Sequence, residues 1–171
     1  MVIVWTILAL IVVLIAVVLL RTLMLKPTDA AKATIELEES ERAVLYGNKL
    51  SKMVQVETIS EPYQTNRSKF LEFHKVLEQE FPNVHKTCEK TVLNGSLLFK
   101  WSGTGEKEPI MFMSHHDVVE AGGEWEHGPF SGDIDEKGRV WGRGTVDTKG
   151  SLCCIFGAVE ELIAEGYQPP M

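Results

Sequence analysis

The side chains that could do chemistry lie between residues 110 and 150. An apolar run ends in a histidine and an aspartate two residues apart, IMFMSHHDVV, with His115 and Asp117 as the pair. Further on, VWGRGTVDTKG carries Asp147 between a Gly142-Arg143-Gly144 turn and Lys149-Gly150. An imidazole and a carboxylate at the ends of strands are what a divalent metal centre needs. In an extended chain, residues i and i+2 share a face, so Asp117 can accept the His115 ring N–H. That contact fixes the imidazole tautomer and makes it a better metal donor. His116 then points the other way, as a spectator. Asp147 has two carboxylate oxygens and can bridge two cations roughly 3.5–4 Å apart. Plainer readings compete: His115 and Asp117 as a chance pairing in a surface loop, and Asp147 as the N-cap of the helix that follows, a position aspartate favours.

The elements that must position these groups follow from periodicity. IMFMS is a continuous apolar run, expected as a strand buried on both faces, and GRVWGRG as another short strand. The run KGSLCCIFGAVEELIAEGY is expected as a helix with Leu152, Ile155, Phe156, Val159, Leu162 and Ile163 on one side, ended by Gly166. Upstream, Leu45, Leu50, Met53 and Val54 predict one or two helical turns facing a core. NRSKFLEFHKVLEQEF predicts a helix capped by Asn66 or Ser68 and stopped at Pro82-Asn83. VHKTCEKTV and SLLFKWSG, joined by Asn94-Gly95, predict a hairpin. Strands between helices give an α/β class.

The N-terminus is different. VIVWTILALIVVLIAVVLL, residues 2–20, carries no charge and spans roughly 28 Å as a helix, close to the hydrocarbon thickness of a bilayer. It lacks the polar stripe of a core helix. No Lys or Arg precedes it and no small-x-small site follows, which favours an uncleaved anchor over a signal peptide. The expected organisation is an anchor over 1–25 that contacts the membrane through 2–23, a linker over 26–34 and a catalytic domain over 35–171. Arg21, Lys26 and Lys32 flank the anchor, and the positive-inside rule would keep the body cytoplasmic. The net charge of −7 argues against a nucleic-acid surface. Cys88, Cys153 and Cys154 lack ligand spacing and are expected as core thiols.

With EWEHGPFSGDI between them, SHHDVVE and VWGRGTVDTKG resemble the zinc metallopeptidase family of carboxypeptidase S, aminoacylase, acetylornithine deacetylase and succinyl-diaminopimelate desuccinylase. The likeness runs from about Lys49 to Tyr167. LSKMVQVETIS, KFLEFHKVLEQEFP and SLLFKWSG place it nearest the carboxypeptidase S and N-fatty-acyl-amino-acid hydrolase branch. The resemblance implies the N-terminal part of a zinc-peptidase αβα sandwich that hydrolyses peptide or N-acyl amino acid amide bonds. It also implies two zinc ions, or cobalt in their place. It implies that His115 ligates one zinc, Asp117 orients His115 and Asp147 bridges both ions, while Trp125, Pro129 and Phe130 match a packing motif near the site. Relatives of that branch work in a lumen or outside the cell, against the charge rule.

The family's general base, a Glu of a Glu-Glu pair, would follow the next strand and is not present in this chain. Glu160-Glu161 sits inside a helix, where Glu160 is expected to be solvated and Glu161 to flank the apolar face. The chain therefore reads as an N-terminal fragment, inactive alone, with any homodimer contact made through the missing part. A rival reading is a non-catalytic, membrane-anchored interaction protein with vestigial metal motifs. No Gly-x-Ser-x-Gly elbow, P-loop or His-Glu-x-x-His helix points to another hydrolase class.

Overall fold

The computed structural model describes residues 2–25, 40–63 and 65–171. The expected linker, 26–34, lies outside the described residues. The chain divides into two compact units, Met1–Glu38 and Glu39–Met171.

The described part of the first unit contains one helix, α1, Val2–Met24. Its 23 residues reach about 35 Å at ~1.5 Å per residue. The hydroxyls of Thr6 and Thr22 donate back to the carbonyls of Val2 and Val18, at 3.0 and 2.9 Å, so these polar groups need no outside partner. By length and composition α1 is able to cross a membrane, a property it shares with signal sequences.

The second unit mixes helices with a two-stranded sheet. Helix α2, Glu41–Val54, starts where the Ser40 hydroxyl accepts the Ala43 amide at 3.1 Å. It is longer than the one or two turns expected, and Leu45 stays exposed while Met53 and Val54 are buried. Helix α3, Ser68–Glu80, buries Phe70, Phe73, His74 and Leu77, the i, i+3, i+4, i+7 stripe of an amphipathic helix. The Asn66 side chain accepts the Ser68 amide at 2.9 Å just ahead of it.

Pro82 does not end helical structure; it opens a short helix, α4, Pro82–Thr87. The missing proline N–H costs nothing at a first helical position. The Glu160 carboxylate accepts the next two amides, Asn83 and Val84, at 3.0 and 2.9 Å. Residues 84–87, expected in a strand, are helical for this reason, and Glu160 is half-buried in this role rather than solvated.

Strands β1, Glu89–Leu93, and β2, Ser96–Lys100, pair antiparallel with Leu93 opposite Ser96. Asn94 and Gly95 both have positive φ, 48° and 94°, as a two-residue type I′ turn requires. Helix α5, Gly150–Ala164, closes the unit, and Gly166 (φ 76°) follows it. The core gathers Met53, Val56, Phe73, Leu77, Phe81, Val84, Cys88, Leu152 and Cys153 from α2 to α5. Cys88 and Cys153 are buried thiols as expected, whereas Cys154 on the next helical position is exposed.

The strand expected over Ile110–Ser114 is not formed, and Ile110 to Met113 stand exposed. A strand apolar on both faces needs neighbours to accept its backbone and cover its side chains, and none of the described residues pairs with it. GRVWGRG is likewise reduced to a single antiparallel bridge between Ile134 and Val140.

Candidate metal centre

Two loops build the site. The first, 114–118, is held by a parallel bridge between Ile59 and Val118. Val118 donates its amide to the Thr58 carbonyl at 2.9 Å, and Ser60 donates its amide to the Val118 carbonyl at 3.1 Å. The buried Thr58 hydroxyl bonds the His116 carbonyl. The second loop is a wide turn, Thr145–Lys149, whose backbone is extended at Asp147 (φ −118°, ψ 92°).

The Gly-Arg-Gly approach to that turn depends on glycine. Gly142 and Gly144 have φ of 143° and 90°, where side chains are strained. A Cβ on Gly144 would come within 2.7 Å of Val118 Cγ1, and one on Gly142 would collide with Val54. The second glycine thus lets the two loops touch.

The loops are also latched side chain to backbone. The Thr148 hydroxyl donates to the His115 carbonyl at 2.6 Å and pairs with the Ser114 hydroxyl at 2.9 Å. Lys149 is fully buried, and its ammonium donates to the Met53 and Val56 carbonyls at 3.0 and 2.7 Å. It also lies 5.0 Å over the Phe73 ring. The Asp147 turn is therefore anchored to the C-terminal end of α2.

These constraints bring His115, Asp117 and Asp147 together. His115 Nε2 lies 3.1 Å from Asp147 Oδ1, and His115 Nδ1 lies 3.2 Å from Asp117 Oδ1 and 3.1 Å from the Asp117 carbonyl. Asp147 does not cap α5, whose N-terminus has no side-chain cap. His116 turns away, as the alternation of an extended chain requires. It packs against Phe70, Phe73 and His74 and bonds the Gly95 carbonyl at 3.1 Å. His74 bonds the same carbonyl at 2.9 Å, so two imidazoles pin the hairpin turn beside the site.

The electrostatics follow the contacts. The Ser60 hydroxyl donates to Asp117 Oδ2 at 2.6 Å and is the main influence holding that carboxyl below its usual range, with His115 adding to it. Partial desolvation works against a charged His115. Its bonds to the Asp117 carbonyl and the Asp147 carboxylate outweigh that and push its pKa up. Burial pushes His116 down and Lys149 down to about 8.

A cavity of about 250 Å³ opens over His115, Asp117 and Asp147, walled by Val119, Trp125 and Arg143. A second, of about 770 Å³, reaches His115 from the side of Phe70, Leu97 and Met113. Among the described residues Arg143 makes no salt bridge: its guanidinium lies 5.0 Å over the ring of Trp125, which is part-exposed.

An imidazole nitrogen and a carboxylate oxygen in contact, with a second carboxylate on the other ring nitrogen, are a donor set suited to zinc. At most, His115 and Asp147 would offer two donors of the four that zinc takes. Among the described residues no group of three or more His, Cys, Asp or Glu side chains could hold a metal ion by itself.

Sequence reasoning missed Ser60 and Lys149. Nothing local marks either: Ser60 reaches Asp117 across fifty-seven residues, and a lysine beside a turn reads as solvated.

Comparison with known proteins gives matching indications. The profile of Peptidase family M20/M25/M40 matches residues 111–171. The chain is 39% identical over 129 residues to a probable carboxypeptidase S-like 2 of Dictyostelium discoideum, covering 71% of this chain and 25% of that protein. It is 36% identical over 135 residues to carboxypeptidase S of Saccharomyces cerevisiae, covering 71% and 23%. It is also 36% identical over 170 residues to the N-fatty-acyl-amino acid synthase/hydrolase PM20D1 of Xenopus tropicalis, covering 92% and 33%. The chain thus spans a quarter to a third of the length of these relatives.

Proposed function

We propose that this chain, whose residues 111–171 match Peptidase family M20/M25/M40, carries part of the metal centre of a zinc-dependent hydrolase of peptide or N-acyl amino acid amide bonds. The observation that carries the reading is the 3.1 Å approach of His115 Nε2 to Asp147 Oδ1, with Asp117 on the opposite ring nitrogen. His115 would ligate one zinc ion and Asp147 would bridge two. Asp117 holds the His115 tautomer that leaves Nε2 free to ligate. Bound zinc would supply Lewis acidity to the scissile carbonyl and to the attacking water. Val119, Trp125 and Arg143 wall the cavity above these groups. Residues 35–171 would form part of a catalytic domain of αβα-sandwich type, and residues 1–25 the anchor.

The complete protein should hydrolyse an N-acyl amino acid or a peptide only with zinc or cobalt present. A polypeptide of residues 1–171 expressed alone should bind zinc weakly and hydrolyse neither, because its described residues hold no set of three donors. Zinc-dependent turnover by that polypeptide, abolished by His115→Ala, would show that it closes the site unaided.

The membrane reading rests on α1. Carbonate extraction of the expressed protein should leave it in the pellet at uncleaved length. Recovery of the uncleaved chain in the supernatant would refute an anchor, and a product shortened by the length of α1 would indicate a cleaved signal sequence. Protease protection in sealed vesicles would assign the side of the catalytic unit.

A further inference from the structure

Asp117 is the only link between the His115 ring and the rest of the first loop through a side chain, among the described residues, and it is half-exposed. A carboxylate so placed can rotate toward water, which would leave the Asp117 backbone carbonyl, at 3.1 Å, as the remaining acceptor on Nδ1. One group prevents this. Ser60 donates its hydroxyl to Asp117 Oδ2 at 2.6 Å, leaving Oδ1 toward His115 Nδ1 at 3.2 Å. The serine is itself fixed, because its own amide bonds the Val118 carbonyl at 3.1 Å and Val118 bonds back to Thr58. The backbone rung that aligns segment 58–60 with 116–118 thus also sets the height of the Ser60 hydroxyl against the carboxylate. The order of contacts is Ser60 Oγ, Asp117, His115, Asp147, with both carboxylate oxygens and both ring nitrogens engaged.

We propose that Ser60 is a positioning residue for the His115–Asp117 pair: its hydroxyl locks the Asp117 carboxylate so that the ring proton stays on Nδ1 and Nε2 faces Asp147. The role in metal binding rests on the proposed function; the role in fixing the ring does not. Ser60 touches neither metal nor substrate in this scheme and acts through Asp117 alone. Loss of an orienting partner of a ligating histidine costs about 10–100-fold in metal affinity, and Ser60 stands one contact further out, so its removal should cost about 3–10-fold.

The test uses the chain labelled with 15N-histidine, in detergent micelles and in alkaline solution, where the ring is neutral. Without metal, wild-type His115 should show one tautomer, protonated at Nδ1. Ser60→Ala should mix in the Nε2-protonated form, and Ser60→Thr, which keeps the hydroxyl, should restore the single tautomer. In an Asp117→Asn background Ser60→Ala should add no change, since two residues of one network are not additive. Zinc titration of the same proteins should give the 3–10-fold weaker binding for Ser60→Ala and near wild-type binding for Ser60→Thr. An unchanged tautomer in Ser60→Ala, or an equal effect in the Asp117→Asn background, overturns the proposal. If wild-type zinc binding does not depend on His115, the metal reading falls, and the tautomer spectra still decide on Ser60.

Discussion

Asp147→Ala in the complete protein should cut zinc-dependent hydrolysis by at least about 10³-fold, more than the ~10–100-fold cost of losing an orienting partner, while leaving the fold unchanged. The Asp147 side chain is 82% exposed and, among the described residues, makes its polar contact with His115 alone, so its removal should alter stability by no more than about 0.5 kcal/mol. As the bridging carboxylate, however, it would hold both ions, and no neighbour among the described residues could replace it. Asp117→Asn should fall in the smaller range, since the amide keeps the shape and loses the charge behind His115. Metal content, turnover and thermal midpoint measured on the same preparations check the ordering. A full metal complement in Asp147→Ala, with activity within about tenfold of wild type, would remove Asp147 from the centre.

What could be read from the residues followed local physics. The hairpin was legible because Asn94-Gly95 admits positive φ twice in succession, and α3 and α5 because their apolar residues recur at helical spacing. The pairing of His115 with Asp117 was legible from an i, i+2 spacing, and Asp147 from its place after a glycine-flanked turn. Contacts made across the chain were not legible. Residues 84–87 look extended by alternation, yet Glu160, more than seventy residues on, satisfies their helix start. Ile110 to Met113 carry the composition of a doubly buried strand, but a strand is defined by its neighbours, and the described residues provide none. Nothing local marks Arg143 as a partner of Trp125, yet its guanidinium lies 5.0 Å over that ring.

The second large effect should come from Lys149, and its sign depends on pH. Burial pushes the folded-state pKa of its ammonium down to about 8 from an ordinary 10.5. Between those values the unfolded chain holds a proton that the folded chain has released, so stability rises with pH across this window. Below about 8 the desolvation cost is present in full; it is relieved progressively as pH climbs toward 10.5. The difference between the two values corresponds to roughly 3 kcal/mol as an upper figure, since one unit is worth about 1.36 kcal/mol. Cys153 works the other way. Burial raises its thiol to about 11, so the folded form loses stability as pH climbs past the ordinary thiol value of 9. Wild type should therefore be compared with Lys149→Met, which keeps Cys153 and most of the side-chain volume. The stability of wild type relative to the variant should rise between pH 8 and 10.5, because the Cys153 loss is common to both. At neutral pH two opposing changes meet in it: the buried charge is gone, but the Met53 and Val56 carbonyls lose their donor, at about 1–3 kcal/mol each. Lys149→Ala adds a cavity beside Phe73 and should be the less stable of the two by roughly 2 kcal/mol or more. Denaturant midpoints across this pH range, for all three proteins in the same micelles, measure both effects. Parallel curves for wild type and Lys149→Met would mean that the ammonium keeps its ordinary pKa, held charged by the two carbonyls at the end of α2.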